Sequence, residues 1–128
     1  MEKSFTGKVV QGNQLGRTIG FPTANLQTEG VVLPKGVFAC RVVCPEEGPE
    51  AWEAMMNVGT RPTVSSAPTL SIEVHIFDFC GNLYGKNLQV EIVAQIRSER
   101  KFADLEELRK NLEQDRQTAR KLLSNACH

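Results

Sequence analysis

From Leu70 to Ile76 the chain alternates without a break: Leu70, Ile72, Val74 and Ile76 are apolar, while Ser71, Glu73 and His75 are polar. The same period of two returns over Leu88–Ile96, where Leu88, Val90, Ile92 and Ile96 stand against Gln89, Glu91 and Gln95. An extended chain places successive side chains on opposite faces, so this pattern dictates half-buried strands. Val37–Cys44 adds a run rich in β-branched residues, starting just after Pro34-Lys35-Gly36. Glycine and proline punctuate the stretch from Met1 to about Ile96, and Cys80-Gly81-Asn82 supplies turn chemistry between two of the runs. Several short strands with turns between them predict a small sandwich or a closed barrel.

The period changes after that. Leu105, Leu108, Leu112, Ala119 and Leu122 form a broken stripe at helical spacing between Asp104 and about Leu123, with no Gly or Pro inside. Asp104 followed by Glu107 resembles the start of a capping box. This helix is expected to brace the strands, its mixed charges forming a solvated outer face. The acidic stretch Glu46–Glu53 reads as a surface loop. Neither a break in composition nor an internal repeat divides the 128 residues, which predict one domain.

Charge narrows the range of partners. Fifteen Lys plus Arg balance fifteen Asp plus Glu, a formal net charge of zero. That argues against a partner held mainly by charge, such as nucleic acid or an anionic membrane, but leaves room for a small anion at a local site. No apolar run approaches the ~20 residues needed to cross a bilayer. Met1–Gly12 lacks the apolar stretch of a signal peptide. The four cysteines, Cys40, Cys44, Cys80 and Cys127, form no CxxC pair, and two histidines, His75 and His128, leave few ligands for zinc. Reduced, partly buried thiols of a cytoplasmic protein are the expectation.

Gly12–Asn25 (GNQLGRTIGFPTAN) is the most unusual segment. Gly12, Gly16 and Gly20 recur at four-residue spacing in a polar context, with no Walker-type GxxxxGK[ST]. Such a loop is either a Gly-rich surface connection or a backbone that lies close to phosphates. The residues after it favour the second reading. Pro22 biases Phe21 toward extended geometry. In an extended continuation Thr23 and Asn25 then point to one side and Ala24 to the other. A hydroxyl and an amide oxygen side by side suit Mg²⁺ when substrate phosphates supply the negative charge. They also suit backbone hydrogen bonding in a turn.

Glu73 is the second candidate. It lies on the polar face of its strand, where a carboxylate is usually just solvated. In a closed barrel, however, the outer strand face can look onto a helix, loop or cleft, and a carboxylate held there can act as general base for a hydroxyl nucleophile. His75 shares that face and reads as a packed or hydrogen-bonded neighbour.

GRTIGFPTAN (Gly16–Asn25), NVGTRPT (Asn57–Thr63), IEVHIFDF with LYG (Ile72–Gly85) and R-x₄-F (Arg97–Phe102) come in an order that resembles riboflavin kinases. The likeness is to the bacterial form found in the C-terminal half of bifunctional riboflavin kinase/FAD synthetases, and runs from about Phe5 to Leu123. It implies a mainly β fold: a six-stranded antiparallel closed barrel over about residues 4–97, with a C-terminal helix over about 104–123 packed on it. The implied activity is ATP-dependent phosphorylation of the ribityl 5′-hydroxyl of riboflavin to give FMN and ADP. Carried over by position, Thr23 and Asn25 would coordinate Mg²⁺, and Glu73 would be the general base. Gly12, Gly16, Arg17, Gly20 and Pro22 would belong with Thr23 and Asn25 to the nucleotide site. Arg97 and Phe102 would form a second flap near the isoalloxazine, with Asn57 in the flavin pocket.

The resemblance further implies no covalently bound cofactor, and a monomer that is either a stand-alone enzyme or part of a larger bifunctional chain. The nucleotidyltransferase portion and its HxGH-like motif are not in this sequence, so FAD synthesis is not expected from it. The alternative is a non-catalytic flavin-binding module on the same barrel. Residues 1–96 carry seven basic and nine acidic side chains, and 97–128 carry eight and six. The expected phosphate-handling region is thus slightly acidic. ATP would be held by Mg²⁺ and backbone amides, with Arg17 as a local helper. Asn82, where many bacterial relatives have Asp, and Thr63–Thr69 depart from the family pattern.

Overall fold

The computed structural model describes residues 3–10, 20–61, 69–79 and 81–125. Six strands appear in chain order: β1 (Ser4–Val10), β2 (Ala24–Gln27), β3 (Gly36–Val43), β4 (Ala51–Arg61), β5 (Thr69–Ile76) and β6 (Asn87–Arg97). A long helix, α1 (Leu105–Asn125), follows. All neighbouring strands pair antiparallel, and the sheet closes on itself in the order β1-β2-β5-β4-β3-β6. Closure leaves no sheet edge to protect.

The alternating runs fill the barrel as their period requires. Ile72, Val74 and Ile76 of β5 and Leu88, Val90 and Ile92 of β6 point inward, joined by Phe38, Val42, Met56 and Val58. Full burial of such side chains stabilises the fold by roughly 1.5–3 kcal/mol each. Leu70, at the end of the first run, stays partly exposed. Cys40 and Cys44 are free thiols within this core. Burial, with Glu91 nearby, pushes the Cys40 thiol up to about 12. Cys80 and Cys127 lie outside the described residues. Asn82 keeps its turn role by accepting a bond from the Tyr84 amide at 2.8 Å.

Two expectations need correction. Ile96 does not share the inward face with Leu88, Val90 and Ile92; it packs in a second cluster with Ala119 and Leu123 of the helix. Two register shifts between β3 and β6, at Val37/Phe38 and Ala39/Cys40, each leave one β6 residue without a partner, Ile96 and Val93, so the alternation is broken there and restored at Arg97. The acidic loop also ends earlier than Glu53. Ala51–Glu53 already belongs to β4, and Trp52 packs against Phe79 with ring centroids 5.0 Å apart.

Helix α1 lies across the outside of β3, β4 and β6. Asp104 caps its start, with Oδ1 accepting the Glu107 amide at 2.8 Å. Arg41 closes the other end by donating to the Leu123 carbonyl at 3.0 Å, a favourable place for a cation. Buried positions are Asp115, Ala119 and Leu123, with Leu112 and Leu122 partly buried. Leu105, predicted in the stripe, is 47% exposed. The break in that stripe is filled by a charged residue, Asp115.

Candidate functional site

Register alone brings several of the predicted residues together. Asn25 is paired with Glu73, Glu73 with Asn57, Asn57 with Val37, and Val37 with Arg97. Directly paired residues share a face. Four of the residues singled out from the sequence therefore fall on one row that crosses β2, β5, β4, β3 and β6 on the outside of the barrel.

Glu73 sits in the middle of this row. Its Oε1 accepts a hydrogen bond from Thr23 Oγ1 at 3.1 Å. Thr23 stands one residue before β2, and Ala24 packs on the barrel interior, so Thr23 and Asn25 share the outer side as the extended geometry predicts. Asn25 is 7% exposed, and its Oδ1 has no hydrogen-bond partner among the described residues. Leaving a buried carbonyl oxygen unpaired costs about 1–3 kcal/mol. The Thr23 hydroxyl, having given its proton to Glu73, keeps its lone pairs. Two neutral oxygens, one of them orphaned, make a donor set that fits a hard divalent cation.

His75, two residues along β5, is 8% exposed and sits between aromatic rings, with centroids 5.2 Å from Phe21 and 5.6 Å from Phe77. Its Nδ1 lies 2.7 Å from the Pro22 carbonyl. Burial holds its imidazole below the ordinary 6.5; the Pro22 bond opposes this, while Arg116 and Arg120 act with burial.

A cavity of about 200 Å³ opens between this row, the 98–102 connection and the first half of α1. Thr23, Asn57 and Glu73 give it a polar wall, and Phe21, Met55, Phe102 and Leu112 an apolar one. Arg97, Glu99 and Arg100 complete its charged lining. Asn25 lines a separate cavity of about 490 Å³ with Gln27, Thr28 and Ser71. The two members of one cross-strand pair thus line different cavities, Glu73 the first and Asn25 the second.

Arg97 and Phe102 also come together. The Arg97 guanidinium stands 5.4 Å from the Phe102 ring centroid, and that of Arg100 stands 5.1 Å from it. Arg97 is held by the buried Asp115, with Nε 3.0 Å from both carboxylate oxygens and Nη2 2.8 Å from Oδ2. Sequence reasoning missed Asp115, whose one signal was its place in the gap of the helical stripe. It missed Met55 as well, which reads as ordinary core. Gly20 sits in a turn with φ of 87°, and Pro22 is exposed. Gly12, Gly16 and Arg17 lie outside the described residues, as do residues 63–68 of the atypical stretch.

Residues 2–123 match the family model described as Flavokinase: Riboflavin kinase. The chain belongs to the riboflavin kinase family. A Haemophilus influenzae protein described as a bifunctional riboflavin kinase/FMN adenylyltransferase is 44% identical over 115 residues, which are 89% of this chain and 36% of that protein. This riboflavin kinase domain therefore spans little more than a third of such a relative. Among solved structures, riboflavin kinase from Trypanosoma brucei is similar with a TM-score of 0.66 at 25% identity, over 94% of this chain and 79% of that one. A Streptococcus pneumoniae protein described as a macrolide-efflux protein reaches a TM-score of 0.82 at 34% identity, over 91% of this chain but 38% of its own. Among the described residues of this riboflavin kinase domain, no helix is long and apolar enough to cross a membrane.

Proposed function

We propose that this domain transfers the γ-phosphoryl group of ATP to the ribityl 5′-hydroxyl of riboflavin, with Glu73 as general base. The observation that carries this reading is that the two members of the Asn25–Glu73 pair line different cavities. A two-substrate transfer needs two such spaces beside its reacting centre, and a pure flavin binder does not. The smaller cavity, with its aromatic, thioether and guanidinium surfaces, suits a planar isoalloxazine. The larger one, on the Asn25 side, takes the nucleotide. Gly12–Gly20 with Arg17 then form the flap over the phosphates. Arg97 and Phe102 belong to a second flap beside the flavin, and Asn57 is part of its pocket.

Phosphoryl transfer asks mainly for positioning and charge stabilisation. Thr23 Oγ1 and Asn25 Oδ1 would hold Mg²⁺, which when bound supplies charge neutralisation on the phosphates. Thr23 fixes Glu73 through Oε1, and Oε2 is left to take the proton of the 5′-hydroxyl. The ribityl 5′-oxygen forms its bond to the γ-phosphorus as the bond to the β–γ bridging oxygen breaks, so ADP departs with the electron pair. The flaps exclude water and limit futile hydrolysis. A cytoplasmic monomer drawing on riboflavin and ATP completes the reading.

Incubation with riboflavin, ATP and Mg²⁺, followed by separation of the flavins, tests it. FMN is the expected product, and its absence overturns the assignment. Glu73→Gln should retain riboflavin binding, seen as fluorescence quenching, while FMN formation falls by roughly 10²–10⁴-fold. Full activity in that variant removes Glu73 from the role of base.

A further inference from the structure

The segment leading into β2 has no ladder to hold it where the chemistry is. Pairing of β2 with β5 begins only at Ala24 opposite Val74. Pro22 carries no amide hydrogen, so the chain before Ala24 cannot extend the ladder with a donor of its own at that residue. Yet Thr23, in this unpaired stretch, has to place its hydroxyl 3.1 Å from Glu73.

A side chain stands where the backbone ladder stops. His75 reaches from β5 to the Pro22 carbonyl, with Nδ1 at 2.7 Å from the oxygen. Because a carbonyl only accepts, Nδ1 must carry the hydrogen. The ring is packed between Phe21 and Phe77, and the Arg116 and Arg120 guanidiniums lie 5.3 and 4.7 Å from those two rings. Helix α1 thus packs, through these two guanidiniums, on the rings that flank the imidazole. Glu73 and His75 are two apart on one strand face, so one strand fixes the base and also the residue that orients the base.

We infer that His75 is a positioning residue for phosphoryl transfer: its Nδ1–H clamps the Pro22 carbonyl and thereby holds the Thr23 hydroxyl on Glu73. Its ring also lines the cavity beside Glu73, but the role inferred for it is carried by the Pro22 contact. The inference rests on the proposed reaction at Glu73.

Two substitutions separate the clamp from simple packing. His75→Phe keeps an aromatic ring between Phe21 and Phe77 but has no hydrogen to give. His75→Asn loses the ring but places an amide nitrogen close to the position of Nδ1; His75→Gln places it nearer to that of Nε2. With the wild type first shown to form FMN, His75→Phe should keep its melting temperature, and any change in its KM for riboflavin should be smaller than the change in kcat, since the ring also lines the cavity. Its kcat should drop about 10- to 100-fold, as expected when a reacting group is misplaced. His75→Asn should recover most of that kcat despite a lower melting temperature, and His75→Gln should not. Long-range ¹H–¹⁵N spectra should show hydrogen on Nδ1 of the wild-type ring.

A wild-type kcat in His75→Phe, or a hydrogen found on Nε2 with Nδ1 bare, overturns the clamp while leaving the reaction itself intact. No FMN from the wild type overturns the underlying reaction instead. If the variants fail to fold, the tautomer in the wild-type spectrum still decides.

Discussion

Asp115, on the buried face of α1, takes the Arg97 guanidinium of β6 through both carboxylate oxygens at 2.8–3.0 Å. The contact joins the helix to the last member of the outer row of site residues. A fork of this kind fixes direction as well as distance.

Removing the carboxylate should therefore be felt in the stability of the fold. Asp115→Ala leaves a largely buried guanidinium without its partner, and is expected to destabilise the fold by about 2–4 kcal/mol, below the full value for a buried pair because Arg97 keeps some contact with water. Denaturant melts of Asp115→Ala, Arg97→Ala and the double variant give the coupling. A double variant whose loss equals the sum of the single losses would show that the pair contributes nothing as a pair.

Asn25 should behave in the opposite way. Its Oδ1 is buried without a partner, so Asn25→Ala removes an unmet polar group and should leave stability unchanged or raise it by up to ~1 kcal/mol. Calorimetric titration should show that the variant loses most of the Mg²⁺-dependent increment in ATP binding. In the wild type, chelating Mg²⁺ should weaken ATP binding far more than adding salt, because the strand region has no excess of basic charge. A large drop in melting temperature, with Mg²⁺-dependent binding intact, would make Asn25 structural.

Two glycines should respond unequally to the same substitution. A Cβ on Gly36 would stand 2.6 Å from the Arg97 carbonyl oxygen, and the residue has φ of 143°. Gly36→Ala is expected to lose more than ~1 kcal/mol, since neither backbone can retreat easily. A Cβ on Gly59 would meet only the carboxylate end of Glu99, at 2.5 Å. Gly59→Ala should cost under ~1 kcal/mol, because a flexible side chain can swing away, and should raise the KM for riboflavin by displacing Glu99 at the cavity. Equal melting temperatures for the two variants would refute this contrast.

The buried imidazole also sets a pH dependence. His75 titrates below the ordinary 6.5 in the folded chain, chiefly because burial disfavours its charged form. Between that ordinary value and the lower folded one, the unfolded chain binds more protons, so stability falls as pH falls through this window. Above about pH 7 the contribution is fully present. Urea melts at steps from pH 7.5 down to 5 should show the decline in the wild type. In His75→Phe the decline should be smaller by the contribution of this one group. Identical slopes in the two proteins would mean that His75 does not titrate differently on folding.

Sequence legibility followed the range of the interaction. The period of two at Leu70–Ile76 identified β5 and placed Glu73 on its outer face, and the Phe21-Pro22 step put Thr23 and Asn25 on one side. These are local steric consequences of an extended chain. Pairing of β2 with β5 is not local, so neither the contact of Thr23 with Glu73 nor the place of Asn57 beside it could be read from spacing alone. The resemblance assigned roles to these residues but not these contacts, which appear only in the folded arrangement. Ile96 was misplaced because a bulge leaves no reliable mark in a run of aliphatics. Leu105 was misplaced because one leucine at a helix start fits the stripe whether or not anything covers it. Asp115 broke the apolar pattern, and only its partner Arg97, 18 residues earlier, explains why a charge is tolerated there.

The row Asn25–Glu73–Asn57–Val37–Arg97 runs around the barrel like a hoop on a cask, with five of the six strands contributing one stave mark each. Such a site is sensitive to insertion in a way that a site built along one strand is not. A single residue added within β2, β4 or β5 would turn that strand's member from the outside to the inside, and two added residues would slide it past its neighbours. Residues added to the connection between β2 and β3 would leave the hoop untouched. Length changes in this lineage should therefore gather in the connections, and the strands should keep their length even where their residues change.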